Sequence, residues 1–132
     1  MTEKSRKKLL AGANAARDKK ASSIVLLKTK GILAYADYLL ICSGRSDRQV
    51  QAIAQSIENQ LKKLGHRPLG VEGMSQGRWV LIDYGDVVVH VFQESVRDFY
   101  DLEGLWIDAT RVRIGYEKAF KRTKKGESRV AS

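Results

Sequence analysis

The chain has 132 residues, enough for one domain with one apolar core. A single cysteine, Cys42, excludes an internal disulfide; no Cys/His grouping has metal-ligand spacing, and neither a secretory leader nor a bilayer-length apolar run is present, so a cytoplasmic protein with no membrane role is expected. The net charge of +9 is uneven: residues 1–20 carry +5 and residues 111–132 carry +6 around a middle of −2, a layout that suits a polyphosphate neighbour such as RNA and is equally that of solvated tails.

Residues 5–20, rich in Ala, Lys and Arg, read as a weakly amphipathic helix. Ser23–Leu27 reads as a strand, and Gly31 begins a short connection. Asp37–Cys42 is apolar without alternation, which predicts a second strand buried on both faces. Ser46 and Gln49 have capping-box spacing, in which each side chain satisfies a free N–H at the helix start. Val50, Ile53, Ala54, Ile57, Leu61 and Leu64 then recur at helical spacing, and Gly65 with Pro68 closes a helix over 47–64. A short strand is predicted near Leu69–Glu72, followed by a turn at 73–77.

Arg78–Asp83 and Val87–Gln93 read as a hairpin around Tyr84-Gly85-Asp86. With a two- or four-residue loop, Trp79, Leu81 and Asp83 share a face with Val88, His90 and Phe92, and the opposite face is almost wholly β-branched; a three-residue loop would exchange the faces. Ser95 and Asp98 signal another helix start, with Phe99, Leu102 and Trp106 on one stripe. Beyond Ala109 the sequence is strongly basic and has little to bury, so its last part is expected to be disordered. The order α-β-β-α-β-β-β-α predicts an α/β fold with a mixed β-sheet flanked by helices.

Catalytic constellations are weak. Ser43-Gly44-Arg45-Ser46 stands where a nucleotide loop would, but without G-x-G-x-x-G or a P-loop lysine a tight turn with a helix cap explains it better. Asp83 and Asp86 straddle a bend without an acidic partner, as turn aspartates that bond their own backbone do. Asp98 and Asp101 complement a helix dipole. His90 lies between valines with no paired nucleophile, and Cys42 reads as an inert buried thiol. No cofactor and no enzymatic activity are expected. Trp79 and Phe92 fit either a second core layer or an exposed aromatic patch for a protein partner.

These segments resemble the ribosomal silencing factors, also called Iojap-like proteins. The resemblance is carried by Ala36-Asp37-Tyr38 through Cys42-Ser43-Gly44, by Gln49-Val50 and Glu72-Gly73, by Trp79 to Asp86, by Val89-His90-Val91-Phe92, and above all by Arg97-Asp98-Phe99-Tyr100-Asp101-Leu102-Glu103-Gly104-Leu105-Trp106. It spans about residues 5–109 and implies a family domain over 1–110 with a basic extension over 111–132. It further implies a fold resembling nucleotidyltransferases without their catalytic carboxylates. The implied function is binding of the large ribosomal subunit at protein L fourteen on the intersubunit face. Small-subunit joining is thereby blocked and translation falls under nutrient limitation; the alternatives are a large-subunit assembly factor, a degenerate nucleotide-binding enzyme or a general RNA binder. The expected contact set is Trp79, Leu81, Asp83, His90, Phe92, Arg97, Asp98, Tyr100, Asp101 and Glu103, with Lys118, Lys121, Arg122, Lys124 and Lys125 as RNA contacts. A monomer or weak homodimer is expected.

Overall fold

The structure, a computed structural model, describes residues 3–28, 36–100 and 110–111. In chain order the elements are α1 (Glu3–Asp18), β1 (Ser22–Lys28), β2 (Tyr38–Gly44), α2 (Asp47–Lys63), β3 (Gly70–Glu72), β4 (Trp79–Asp83), β5 (Val87–Gln93), α3 (Glu94–Tyr100) and β6 (Thr110–Arg111). The strands form one sheet in the order β3-β4-β5-β2-β1-β6. Only β2 and β5 pair in parallel, so the sheet is mixed and the α/β expectation holds. The expected Gly31 connection, the helical stripe through Leu102 and Trp106, and the basic extension beyond Arg111 lie outside the described residues.

The central strands are buried throughout, as an apolar run without alternation requires: all seven β2 residues are buried. One sheet face presents Ile24, Leu26, Leu40, Cys42, Val80, Ile82, Val89 and Val91 to the inner stripes of α1 and α2. The α2 stripe is Val50, Ile53, Ala54, Ile57 and Leu61. Gly12 brings α1 close over β2; a Cβ there would stand 3.0 Å from Leu40 Cδ2. The other face gathers Val25, Leu27, Leu39, Ile41, Val88 and Phe92, with Trp79, Leu81 and Val96 of α3 packed against them.

Helix α2 starts and stops for reasons visible in its ends. Ser46 Oγ accepts from the Gln49 N–H at 3.1 Å, while Gln49 Oε1 accepts from the Arg45 N–H at 2.7 Å, one residue earlier than a reciprocal capping box would have it. At the other end Gly65, with φ +90°, donates to Lys62 O, and the His66 N–H donates to Leu61 O, which is a Schellman closure. The helix therefore ends at Lys63, and Leu64 is corrected from a stripe residue to an exposed cap residue, 51% accessible. Helix α3 likewise begins a residue before the expected Ser95: Gln93 Oε1 accepts from both the Ser95 N–H and the Ser95 hydroxyl.

Candidate functional site: the aromatic face of the β4–β5 hairpin

Trp79 pairs with Phe92, Leu81 with His90 and Asp83 with Val88. The Tyr84 N–H donates to Val87 O at 2.9 Å, leaving Gly85 and Asp86 as a two-residue loop, with Gly85 at φ +88°. This even loop fixes the register, so the face expected from the sequence is the face that forms.

The face has an outer and an inner row. Trp79, Leu81 and Asp83 on β4 are half-buried. Val88, His90 and Phe92 on β5 are buried, because β5 lies between β4 and β2 and Val96 of α3 packs over the same cluster. The Trp79 ring rests on Phe92 with centroids 4.8 Å apart, and the His90 ring stacks near Phe92 at 5.9 Å and 12°. Trp79 Nε1 donates to His90 Nδ1 at 3.1 Å, which requires the neutral tautomer with its proton on Nε2. Burial pushes the His90 pKa down to about 4 and keeps the ring neutral. A neutral imidazole locked as an acceptor orients Trp79.

The turn before β4 fixes where Trp79 stands. Gln51 Nε2 of α2 donates to Met74 O at 2.9 Å and Ser75 O at 3.1 Å. Gly73 (φ +85°) lies so close under the next strand that a Cβ would fall 2.1 Å from Trp79 O, and at Gly77 (φ +72°) a Cβ would fall 2.5 Å from Asp47 O. Asp83 Oδ1 accepts from the Gly85 N–H at 2.7 Å, the local backbone bond expected of a turn aspartate.

Arg97 is buried. Its Nη1 donates to Ser23 O at 2.7 Å and Ser43 Oγ at 2.8 Å, tying α3 to β1 and β2. Ser23 lies in an irregularity of the β1–β2 register and has φ +50°, so the guanidinium clamps a strained carbonyl. Of the expected contact set, Phe92, His90 and Arg97 are buried, with the inner strand and α3 around them, while Trp79, Leu81 and Asp83 are half-buried. Asp98 and Tyr100 are on α3; Asp101, Glu103, Lys118, Lys121, Arg122, Lys124 and Lys125 lie outside the described residues.

A Cβ at Gly44 would stand 3.1–3.3 Å from Val50 and Ile53, and the Arg45 and Gln49 N–H groups are already bonded. Among the described residues no group of three or more His, Cys, Asp or Glu could hold a metal ion. The Cys42 thiol is fully buried, which raises its pKa to about 12. No helix among the described residues is long and apolar enough to cross a membrane. One contact had no local signal in the sequence: Asp86 accepts from Ser5 Oγ and from Lys8 Nζ, the latter at 2.7 Å, pinning α1 to the hairpin turn.

The sequence matches the family described as "Ribosomal silencing factor during starvation" over residues 2–132. It is 50% identical over 109 residues to "Ribosomal silencing factor RsfS" of Bacillus subtilis, covering 83% of this chain and 91% of that protein. It is 30% identical over 93 residues to "Mitochondrial assembly of ribosomal large subunit protein 1" of mouse, covering 68% of this chain and 41% of that protein. A crystal structure of a Chromobacterium violaceum protein superposes with a TM-score of 0.75 at 40% identity, covering 76% of this chain and 84% of the other. One from Bacillus halodurans gives 0.73 at 45% identity, covering 83% and 99%.

Proposed function

Because the chain belongs to the ribosomal silencing factor family, a family of ribosome-associated regulators of translation, we propose that it binds the large ribosomal subunit at protein L fourteen and thereby blocks small-subunit joining. The observation that carries this reading is the outer row of the hairpin: an aromatic, an aliphatic and a carboxylate side chain, Trp79, Leu81 and Asp83, half-buried side by side. A half-buried tryptophan held in one orientation by His90 and Phe92 is a preorganised anchor, which loses little side-chain entropy on binding. Asp83 adds negative charge, as do Asp98, Asp101 and Glu103 in the adjoining segment, complementary to a basic ribosomal protein. Tyr100 belongs to the same contact, and Lys118, Lys121, Arg122, Lys124 and Lys125 of the extension reach ribosomal RNA.

The mechanism is exclusion. A domain of this length has a radius of gyration of about 14 Å, and subunit bridges need near contact, so they cannot form around it. The protein acts in the cytoplasm, engages as a monomer or weak homodimer, needs no cofactor and makes or breaks no bond. A contact of about 800 Å² on each partner is sufficient. A role in large-subunit assembly, as the name of the mouse relative has it, would use the same contact on a particle not yet complete.

Trp79→Glu tests the reading. Co-sedimentation with purified large subunits is expected to fall at least tenfold, while thermal unfolding shows a folded protein. Undiminished co-sedimentation of the folded variant would remove this face as the ribosome contact.

A further inference from the structure

We propose that the outer face of α2, between Lys19 and Lys63, is a second binding surface that holds the phosphate backbone of double-helical RNA. It lies on the far side of the sheet from the aromatic hairpin face and does not depend on that face being the protein contact.

Three observations carry it. First, folding gathers positive charge that the sequence spreads out. Residues 3–20 carry seven Lys/Arg against two acids, and residues 45–67 carry five against two. The α1 and α2 helices pack against each other on one face of the sheet. Residues 68–98, which form β3 to β5 and most of α3, carry two basic against five acidic residues. The described part of the molecule is therefore polarised, basic on its helical layer and acidic beyond the sheet, although α2 belongs to the stretch whose overall charge is negative.

Second, the basic layer has a shaped feature. An open groove of about 390 Å³ runs along α2, with Lys19 at one end, Lys63 at the other and Gln55, Asn59 and Gln60 between. These side chains are exposed and stand opposite the buried stripe of α2, so packing has no use for them. From residue 52 to residue 63 a helix advances about 16 Å, long enough to follow several successive phosphates of one strand. Amide side chains between two lysines offer neutral donors to phosphate and sugar oxygens flanked by point charges.

Third, the composition of the groove selects the partner. Among the described residues no carboxylate lines it. Burial, with a smaller contribution from the Glu58 charge, raises the pKa of the Tyr84 phenol, so Glu58 lies within electrostatic reach of a buried group. Among the described residues no aromatic lines the groove either, so they offer nothing on which to stack an unpaired base. A lysine-and-amide groove without aromatics reads backbone geometry and not sequence, which is how duplex RNA is held.

The test uses the full chain and a labelled RNA hairpin of 20 base pairs, with affinity measured across a salt series. Lys19→Glu combined with Lys63→Glu is expected to weaken binding at least tenfold at low salt and to lower the slope of log K against log salt by about two, since each phosphate contact contributes about 0.9. The same double change is expected to weaken binding in a full-length background carrying Lys121→Gln, Arg122→Gln, Lys124→Gln and Lys125→Gln, which separates the groove from the tail. Gln55→Ala with Asn59→Ala is expected to weaken binding several-fold with the slope unchanged. Binding of isolated protein L fourteen by the Lys19/Lys63 variant is expected to match the unmodified chain, so failure of the groove and failure of the hairpin reading give different patterns. Unchanged hairpin affinity and slope in the Lys19/Lys63 variant would overturn the proposal, as would tighter binding of an unpaired oligouridine than of the hairpin.

Discussion

The two faces of the sheet are covered in different ways. On one side α1 and α2 bury a continuous set of side chains from Leu9 to Val91, and most of the large ones have no accessible surface. On the other, the described cover is α3, seven residues long, and the row Trp79, Leu81 and Asp83 is left half-buried. The first arrangement spends its apolar surface on stability. Among the described residues the second leaves that row partly open, with its tryptophan held in one orientation. The proposed division is between a side that holds the protein together and a side that meets a partner.

The largest effect expected from this contrast comes from truncating matched aliphatic residues on the two sides. Ile57 is fully buried beneath α1, and Ile57→Ala should cost about 3–4 kcal/mol, the lost transfer energy plus an unfilled cavity. Leu81 is half-buried, and Leu81→Ala should cost only about 1 kcal/mol. Urea unfolding measures both, through the midpoint at constant m-value. Large-subunit binding should rank them the other way, with Leu81→Ala impaired and Ile57→Ala unimpaired where it is folded. Equal destabilisation by the two would erase the distinction.

The sequence made one part of this contrast readable. Period-two alternation and a Gly-containing loop assigned Trp79, Leu81 and Asp83 to one face with His90 and Phe92, and the observed register is the same. Which row is outer was not readable, because it depends on β5 lying between β4 and β2, a fact of strand order and not of local pattern. Phe92 and His90 therefore share the face with Trp79 but are buried on its inner row. Arg97 could be placed near the site, but its partners Ser23 and Ser43 are 74 and 54 residues away. The Lys8–Asp86 pair spans 78 residues and leaves no periodic trace. Leu64 followed the apolar stripe, yet the Gly65 closure ends the helix before it.

His90 offers a pH-dependent way to sharpen the comparison. Its folded pKa, about 4, lies below the ordinary value of 6.5 because burial disfavours the charged ring. The unfolded chain therefore binds this proton first as pH falls. Stability is full above about pH 6.5, declines between 6.5 and about 4, and loses no more to this group below that. The integrated loss is about 3 kcal/mol at most. His90→Asn, which keeps an acceptor for Trp79 Nε1, should flatten unfolding free energy across that window. Tryptophan fluorescence should change with it if the Trp79–His90 bond is what orients the indole. An unaltered pH profile in the variant would mean that His90 is not held neutral under the face.

Asp86 joins the two sides and should give the smallest effect. It sits at the hairpin turn yet accepts from Lys8 and Ser5 of α1, with the ion-pair side chains only 11% and 26% accessible. Burial works against its charge, but the bonds from Lys8 and Ser5 and the ammonium charge outweigh that and hold the carboxyl below the usual range. Its contribution is therefore complete above the unfolded carboxyl pKa of about 4 and is lost as pH falls through the lower folded value, beneath the window in which His90 acts. Asp86→Asn should cost about 1–2 kcal/mol at neutral pH, and a Lys8→Met, Asp86→Asn cycle should assign most of that cost to the pair. Ribosome binding should not change, because the turn is at the opposite end of β4 from Trp79. If Asp86→Asn weakened binding by more than its stability cost accounts for, the α1 anchor would belong to the presenting face, and the division between the two sides of the sheet would have to be redrawn through the hairpin turn.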